Sequence, residues 1–309
     1  MKNITSEIRK DYFLDKYVII TPSRSKRPRE IKEQTTLTRN LPCPFCPENI
    51  KNKKILEKIE LSDREKVVSL ANMYPAVSLK NKKSFGVQEV IIETTSHTKE
   101  LAELSKEQIK AVLRMYAQRT KNISKIKNIE YILCFKNQGA KAGASIVHAH
   151  SQVFATNIQP PDIREELNRA SAYVAAHNSC PYCDIIKKES RSERKIFNDK
   201  NIIAFAPYAS QYHYEAWIFT RRHLDNITLL NDSELESLAK ILKKILLKIY
   251  SIDLPFNLFL HQVISNNSQH FCLKIQPRGS VWAGVEIGSG MVINSIAPEQ
   301  AAKFYRAKN

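Results

Sequence analysis

The hydrophobic and polar positions of the chain follow two periodicities, one typical of strands and one typical of amphipathic helices. Short runs rich in β-branched and aromatic residues predict strands in both parts of the chain. In the first part these runs are 11–21, 67–70, 88–95, 129–135 and 145–156. In the second part they are 202–206, 215–220, 257–265 and 270–276.

Two long helices are predicted from apolar residues at helical spacing, each preceded by a capping signal. Ser105 stands three residues before Gln108, which predicts a capping box with the Gln108 side chain reaching back. Asn231 and Glu234 predict a second box. The apolar stripes that follow are Ile109, Val112, Leu113 and Tyr116 in the first helix, and Leu235, Leu238, Leu242, Ile245 and Ile249 in the second.

The strongest boundary signal is Gln159-Pro160-Pro161-Asp162, after which residues 163–176 predict a further helix. Each side of this boundary therefore carries a set of strands and one long helix. The sequence predicts an α+β fold of two tandem halves, 1–160 and 161–309, each a mostly antiparallel sheet with a long helix.

The same arrangement of metal-ligand residues occurs twice along the chain, as expected of an internal repeat. The copies agree except at one place, where His150 of the first corresponds to Cys272 of the second. This difference predicts that only the first half is catalytic. The repeated residues are Cys43, Cys46, His97 and His148, and then Cys180, Cys183, His223 and His270.

Two thiolates and two imidazoles suit a four-coordinate, structural zinc ion with no open position. We therefore expect two zinc sites. A zinc ribbon would require two C-x-x-C pairs within about twenty residues, whereas these pairs stand in different halves of the chain. A redox C-x-x-C is less favoured, because the same pair recurs beside matching histidines. Cys272 is an alternative ligand in the second site if His223 does not reach it.

Composition narrows the class of protein without fixing it. The 309 residues are 43% hydrophobic, which is enough for sizeable cores. The sequence has no run of 18 or more apolar residues, so no membrane span is predicted. The N-terminal residues lack the apolar stretch of a secretory signal, so the expected location is the cytoplasm. The net charge of +17 permits a polyanionic partner. However, no basic stretch is interleaved with aromatic residues, so no nucleic acid is expected; a zinc-stabilised nucleic-acid-binding module is the alternative from another class.

The segment His148-Ala-His150-Ser-Gln152 carries the candidate chemistry. On a strand, alternate side chains share a face, so His148, His150 and Gln152 would project together. An imidazole is a good nucleophile towards phosphorus, and an amide can donate to phosphoryl oxygens as charge develops on them. The alternative is a strand with solvent-exposed histidines. Gly139 and Gly143, just before it, would allow a ligand to approach the backbone closely.

Taken together, and in the order in which they occur along the chain, the motifs resemble those of the histidine triad superfamily. The resemblance is specifically to its nucleotidyltransferase branch, the galactose-1-phosphate uridylyltransferases. The resemblance covers nearly the whole chain and implies two histidine-triad-like halves. It rests on Arg24-x-x-Arg27-Pro28, Cys43-x-x-Cys46, Asn72-x-Tyr74-Pro75-Ala76, Asn137-x-Gly139, Gly143-Ala144-Ser145, His148-x-His150-x-Gln152, Cys180-x-x-Cys183-Asp184-Ile185, Arg222-His223, Pro277-Arg278 and Ala283-Gly284-Val285-Glu286.

This resemblance implies a ping-pong reaction in galactose metabolism. His150 would attack the α-phosphorus of UDP-glucose and release glucose 1-phosphate, and galactose 1-phosphate would then capture the uridylyl group. Gln152 replaces the third histidine of the superfamily's hydrolases, which favours transfer over hydrolysis. The resemblance also implies a homodimer.

The resemblance further assigns ligand contacts. Asn72, Asn137, Gly143, Ser145 and Gln152 match nucleotide-contacting positions, Arg24 and Arg27 match phosphate-side arginines, and Glu286 matches a residue that contacts hexose hydroxyls. Met73 follows Asn72 where the uridylyltransferases often have a polar residue, which leaves the choice of base open. The alternative enzyme is an ADP-glucose phosphorylase-like adenylyltransferase.

Overall fold

The computed structural model of the chain describes residues 6–26, 42–264 and 269–307. The strands are Glu7–Lys10 (β1), Tyr17–Ile20 (β2), Ile55–Glu60 (β3), Lys66–Ala71 (β4), Gly86–Ile92 (β5), Tyr131–Gln138 (β6), His150–Thr156 (β7), Lys195–Asn198 (β8), Ile202–Phe205 (β9), Ala216–Thr220 (β10), Phe256–His261 (β11), Cys272–Pro277 (β12) and Val292–Asn294 (β13). The α-helices are Pro47–Ile50 (α1), Lys106–Ile123 (α2), Pro161–His177 (α3), Pro181–Glu189 (α4), Asp232–Tyr250 (α5), Gly284–Ser289 (α6) and Pro298–Arg306 (α7).

Ten of these strands form one antiparallel sheet, which confirms the predicted α+β class. Their order is β3-β4-β5-β7-β6-β11-β12-β10-β9-β8. Read outwards from the centre, both sides have the same order, and the two sides meet where β6 pairs with β11. The division into domains at residue 160 stays a prediction.

The two long helices α2 and α5 pack against each other and against the sheet. Their apolar stripes, including Tyr116 and Ile245, belong to the largest buried cluster. The cap predicted at Asn231 is confirmed, with Asn231 Oδ1 accepting from the Glu234 amide and the Glu234 carboxylate accepting from the Asn231 amide. The apolar sides of the two helices thus cover one face of the sheet and leave the other face for the candidate site.

Half of the capping box predicted at the start of α2 is wrong. Ser105 Oγ accepts from the Gln108 amide at 3.1 Å, as predicted. The Gln108 side chain instead donates to Glu65 Oε2 at 3.1 Å and to the Glu93 carbonyl at 3.0 Å. Gln108 is buried, and these partners satisfy its amide inside the protein.

Two strand predictions also need correction. Residues 11–21 are not one strand: β1 and β2 pair antiparallel, and the Asp11 carboxylate between them accepts from the amides of Phe13 and Leu14. Residues 145–149 are not strand either, because β7 begins at His150. The short β1–β2 hairpin joins β13 in a separate three-stranded sheet. Among the described residues, none of the helices is both long and apolar enough to span a membrane.

Candidate active site

His150 opens β7, and its side chain lies on the face of the sheet opposite to α2. Ser151, the next residue, points the other way and accepts a hydrogen bond from the Tyr116 hydroxyl of α2 at 2.7 Å. The predicted alternation of side chains from His150 to Gln152 is therefore present. The His150 ring packs against Phe45, with ring centroids 4.9 Å apart.

A single hydrogen bond fixes the tautomer of His150. Its Nδ1–H donates to the carbonyl oxygen of His148 at 2.8 Å. A carbonyl oxygen can only accept, so the proton lies on Nδ1 and Nε2 keeps its lone pair. Nε2 is therefore the nitrogen available as a nucleophile.

His150 and Gln152 line one cavity of about 260 Å³. Its walls combine apolar side chains with a few polar groups, the usual composition of a small-molecule site. The residues that line it are Pro44, Phe45, Lys53, Leu70, Ala71, Asn72, Met73, Tyr74, Val90, Ser145, Ile146, His150 and Gln152. Asn72 and Ser145, both predicted substrate contacts, thus share the cavity with the predicted nucleophile.

The Gln152 amide is oriented by its neighbours. Its Oε1 accepts from Gln88 Nε2 at 3.1 Å and from Asn72 Nδ2 at 3.5 Å. The oxygen is therefore engaged by protein donors, and the amide's NH₂ group is the donor available to a bound anion.

Burial lowers the pKa of His150 below its usual 6.5, and the nearby Lys136 ammonium also lowers it, while the hydrogen bond to the His148 carbonyl raises it in part. A depressed pKa keeps the imidazole neutral, and therefore nucleophilic, at neutral pH. A cation bound to His148 would act in the same direction.

This direction predicts a pH profile for attack by His150. If His150 is the nucleophile, the rate at which it is modified should fall as the pH drops and the ring protonates, with a midpoint below the ordinary histidine value of about 6.5. Rapid-quench measurement of the covalent adduct would check it, with metal content followed at each pH as a control. A midpoint above the ordinary histidine value would contradict it.

The glycine loop before His148 is held by a residue that the sequence did not single out. Gly139 and Gly143 have φ of +80° and +89°, a region that favours glycine. Asn257 Nδ2, from β11, donates to Asn137 Oδ1 at 2.9 Å and to the Ala142 carbonyl at 2.8 Å. A Cβ on Gly143 would lie 3.6 Å from Asn137 Nδ2, so these two predicted contacts are neighbours.

The first cysteine pair meets two histidines beside this cavity. The ligand atoms of Cys43, Cys46, His97 and His148 all lie within 4.8 Å of one another. Sulfur–Nδ1 distances are 3.5 Å for Cys46–His97 and 3.7 Å from each cysteine to His148. With Zn–S about 2.3 Å and Zn–N about 2.05 Å, the sulfur–nitrogen edge of a tetrahedron is roughly 3.6 Å. The donor set and its spacing fit a tetrahedral zinc ion.

The second cluster, Cys180, Cys183, His223 and His270, meets the same description. His223 Nδ1 and His270 Nδ1 lie 3.5 and 3.8 Å from Cys183 Sγ. His223 therefore reaches the cluster, and Cys272 is instead buried in an apolar cluster with Trp217 and Phe219.

Outer hydrogen bonds orient one histidine of each cluster. His148 Nε2 donates to the Thr94 carbonyl at 2.9 Å, and His270 Nε2 donates to the Thr220 carbonyl at 2.7 Å. Each bond leaves Nδ1 as the ligand atom, the arrangement typical of metal-bound histidine. Both clusters can hold metal ions.

The remaining predicted contacts lie elsewhere. Arg24 is in the 3₁₀ turn after β2, and Glu286 is in α6, before β13; neither lines the His150 cavity. Burial opposes ionisation of Glu286, but hydrogen bonds from the amides of Ala283 and Ile293 and the charge of Arg24 lower its pKa. Arg27 lies outside the described residues.

Comparison with known proteins shows the family of the chain. Residues 1–160 match the family described as "Galactose-1-phosphate uridyl transferase, N-terminal domain". The chain belongs to this family. Its members include uridylyltransferases that are similar to this chain over most of its length.

Two relatives illustrate the range of the galactose-1-phosphate uridyl transferase family. An ADP-glucose phosphorylase of Arabidopsis thaliana is 31% identical over 99% of this chain and 94% of its own. A galactose-1-phosphate uridylyltransferase of Thermotoga maritima is 26% identical over 97% of this chain and 98% of its own.

Solved structures show the same two relationships. The Arabidopsis ADP-glucose phosphorylase with bound ADP-glucose has a TM-score of 0.87 and 30% identity, with 99% of both chains covered. A uridylyltransferase structure has a TM-score of 0.76 and 27% identity, with 98% of this chain and 97% of the other covered. The fold is shared with both, while the identities leave the substrate of this chain open.

Proposed function

We propose that this protein is a nucleotidyltransferase in which His150 carries a nucleoside monophosphate between two sugar or phosphate partners. The observation that supports this most is the His150 tautomer, with Nε2 unprotonated beside the cavity. In the first step the Nε2–Pα bond forms and the bond from Pα to the bridging oxygen breaks. The leaving sugar 1-phosphate departs as an anion and needs no proton. In the second step an acceptor phosphate oxygen attacks Pα and releases the imidazole.

The first candidate reaction is transfer of UMP from UDP-glucose to galactose 1-phosphate. It is supported by the family match over residues 1–160 and by several relatives named galactose-1-phosphate uridylyltransferase. Asn72 and Ser145 would contact the nucleotide from the cavity wall, and Asn137 and Gly143 would do so from the neighbouring loop.

The second candidate is an adenylyl transfer from ADP-glucose to phosphate through the same histidine. The specific observation in its favour is the 31% identity to a plant ADP-glucose phosphorylase. The two candidates share the covalent step and differ in the base and the acceptor.

The test is incubation with UDP-glucose and with ADP-glucose separately, followed by intact-mass analysis. A mass increase of one UMP supports the first candidate, and one AMP supports the second. Released glucose 1-phosphate should match the adduct in amount. No adduct with either donor, together with salt-dependent binding of RNA or DNA, would support the nucleic-acid-binding alternative instead.

Replacing Gln152 with alanine should lower kcat by about 10²–10³-fold, the effect of losing one donor to a developing oxyanion. KM for the nucleotide sugar should change far less, because the donor acts mainly as charge grows on the phosphoryl group. Steady-state kinetics would check this, with Gln88→Ala as a comparison that keeps the Gln152 amide and removes one of the two donors to its oxygen. An unchanged kcat in Gln152→Ala would remove Gln152 from the mechanism.

We further propose two structural zinc ions and a homodimer. The family resemblance matches Arg24 and Arg27 with phosphate-side residues and Glu286 with a residue that contacts hexose hydroxyls. Because Arg24 and Glu286 do not line the His150 cavity, they would serve the cavity of a second copy. In this arrangement residues 1–160 supply the nucleophile and residues 161–309 supply the hexose side. Mixing a His150→Gly chain with a Glu286→Gln chain should then restore part of the activity that each lacks alone.

A further inference from the structure

A buried ion pair lies directly behind the candidate nucleophile. Lys136 Nζ, from β6, is 2.8 Å from Glu93 Oε2 and donates to the carbonyl oxygen of His150 at 3.1 Å. The Lys136 and Glu93 side chains are 1% and 0% exposed. Neither residue lines the cavity, so neither is placed to touch a substrate.

The pair is part of a network that holds the chain on both sides of His150. The Ser151 hydroxyl donates to the Glu93 carboxylate and accepts from the Tyr116 hydroxyl. The backbone amide of Glu93 donates to the Ala149 carbonyl at 3.1 Å. Residues 149, 150 and 151 are therefore each tied to Glu93 or to Lys136.

The second side of the sheet offers an internal comparison, because Cys272 occupies the position that His150 has in the first. His150 pairs with Ile92 of β5, and Cys272 pairs with Phe219 of β10. The residue after Ile92 is Glu93, whereas the residue after Phe219 is Thr220. The carboxylate is thus absent where the histidine is absent.

The same holds for the lysine. In the first side, Phe135 pairs with Gln152, so the next step of the ladder places Lys136 opposite Ser151. In the second side, the residue after Cys272 is Leu273, which pairs with Leu260. Both leucines are fully buried. An uncharged arrangement therefore suffices for this fold at this point.

The energetics favour a functional reason for the ion pair. Moving two charges out of water carries a desolvation cost, and well-packed apolar residues are often at least as stabilising. The side of the sheet that has Cys272 in place of His150 has uncharged residues at these positions, namely Thr220, Leu260 and Leu273. A charged, hydrogen-bonded pair does offer directional contacts, which leucines cannot make to a backbone carbonyl.

We propose that Lys136 and Glu93 are positioning residues for His150. They fix the peptide that carries the imidazole, so that Nε2 meets the α-phosphorus at the correct distance and angle. This inference rests on the proposed function, and it adds two residues that act through His150 without touching the substrate. Ser151 and Tyr116 complete the support.

The test replaces Glu93 and Lys136 with the residues found at the corresponding positions of the second side, Thr220 and Leu260. The variant is Glu93→Thr with Lys136→Leu. Removing both charges together avoids leaving one unpaired. We expect kcat for nucleotidyl transfer to fall by about 100-fold, the scale of a small misplacement of reacting groups. KM for the nucleotide sugar and the metal content should be unchanged. A Glu93→Gln, Lys136→Gln variant keeps hydrogen-bonding groups without charges and should recover part of the rate.

A matched control is a second buried ion pair nearby, between Glu89 of β5 and Arg119 of α2, whose Nε–Oε2 distance is 2.7 Å. Glu89→Ala with Arg119→Leu should lower the midpoint of thermal unfolding without lowering kcat. This comparison separates positioning from general destabilisation.

A milder variant, Ser151→Ala, leaves the ion pair intact in case the double variant does not fold, and should lower kcat about fivefold. Wild-type kcat in the folded Glu93→Thr, Lys136→Leu chain, or in Ser151→Ala, would overturn this inference alone. Absence of any His150 adduct in the unaltered protein would overturn the proposed function, and the inference with it.

Discussion

Replacing His150 with glycine should abolish the covalent nucleotidyl adduct and lower turnover by on the order of 10⁶-fold, the scale seen when a catalytic nucleophile is removed. The reason is that Nε2 of this ring is the atom that bonds to the α-phosphorus in the proposed first step. The His148 carbonyl, which holds Nδ1–H at 2.8 Å, would lose its partner, but the cavity would remain. Binding of the nucleotide sugar should therefore persist.

Two measurements check this expectation: the rate of sugar 1-phosphate release, and equilibrium binding of UDP-glucose and ADP-glucose. Cys272→Ala is the matched control, because Cys272 has the corresponding place on β12 and is buried among apolar side chains. It should retain wild-type turnover. Substantial adduct formation in His150→Gly would show that another residue is the nucleophile.

Cys43→Ser, which removes one ligand of the first metal cluster, should lower both the stability and the turnover of the protein. We expect this variant to bind one zinc ion fewer than the two proposed. Its free energy of unfolding should fall by several kcal/mol, and its turnover should slow about 100-fold. The reason is geometric. His148 would bind the ion with Nδ1, and its carbonyl accepts from Nδ1 of His150; Phe45, between the two cysteines in sequence, packs against the His150 ring.

The second cluster is the control for the first. Cys180→Ser should also lose one zinc ion and much stability. The position that corresponds to His150 is Cys272 in this half and has no proposed catalytic role, so the turnover of the folded fraction should fall far less. Metal analysis, denaturant titration and kinetics on the same preparations would check both variants. Full turnover by a Cys43→Ser chain that holds no ion in this cluster would refute the role assigned to it.

The protonation of Cys46 links metal binding in the first cluster to pH. Burial raises the pKa of Cys46 to about 11, and the neighbouring Cys43 adds to this. A thiol must lose its proton to bind a metal, so bound zinc would reverse this shift. Metal binding should therefore release protons and weaken as the pH falls.

Much of the fold could be predicted because the relevant signals are local. The apolar stripe of α5 and its Asn231 cap depend on residues a few positions apart, and both are present. The prediction failed where distant partners decide the outcome. Gln108 bonds to Glu65 rather than reaching back to Ser105, and the Asp11 carboxylate caps a turn between β1 and β2.

The candidate site was predictable to the extent that its chemistry lies in short motifs. The spacing of His148, His150 and Gln152 indicated one face, and the cavity unites the last two with Asn72. The support from Lys136 was not predictable, because a lysine in an apolar strand gives no sign of its partner forty-three residues earlier. Asn257 reaches the glycine loop only because β11 pairs with β6.

The most direct test is mass spectrometry of the protein after brief incubation with each nucleotide sugar, followed by peptide mapping of the modified residue. The account predicts one nucleoside monophosphate per chain, attached to the His150 imidazole and discharged when the acceptor is added. An unmodified protein that nevertheless turns over the sugar nucleotide, or an adduct on any other residue, would contradict it.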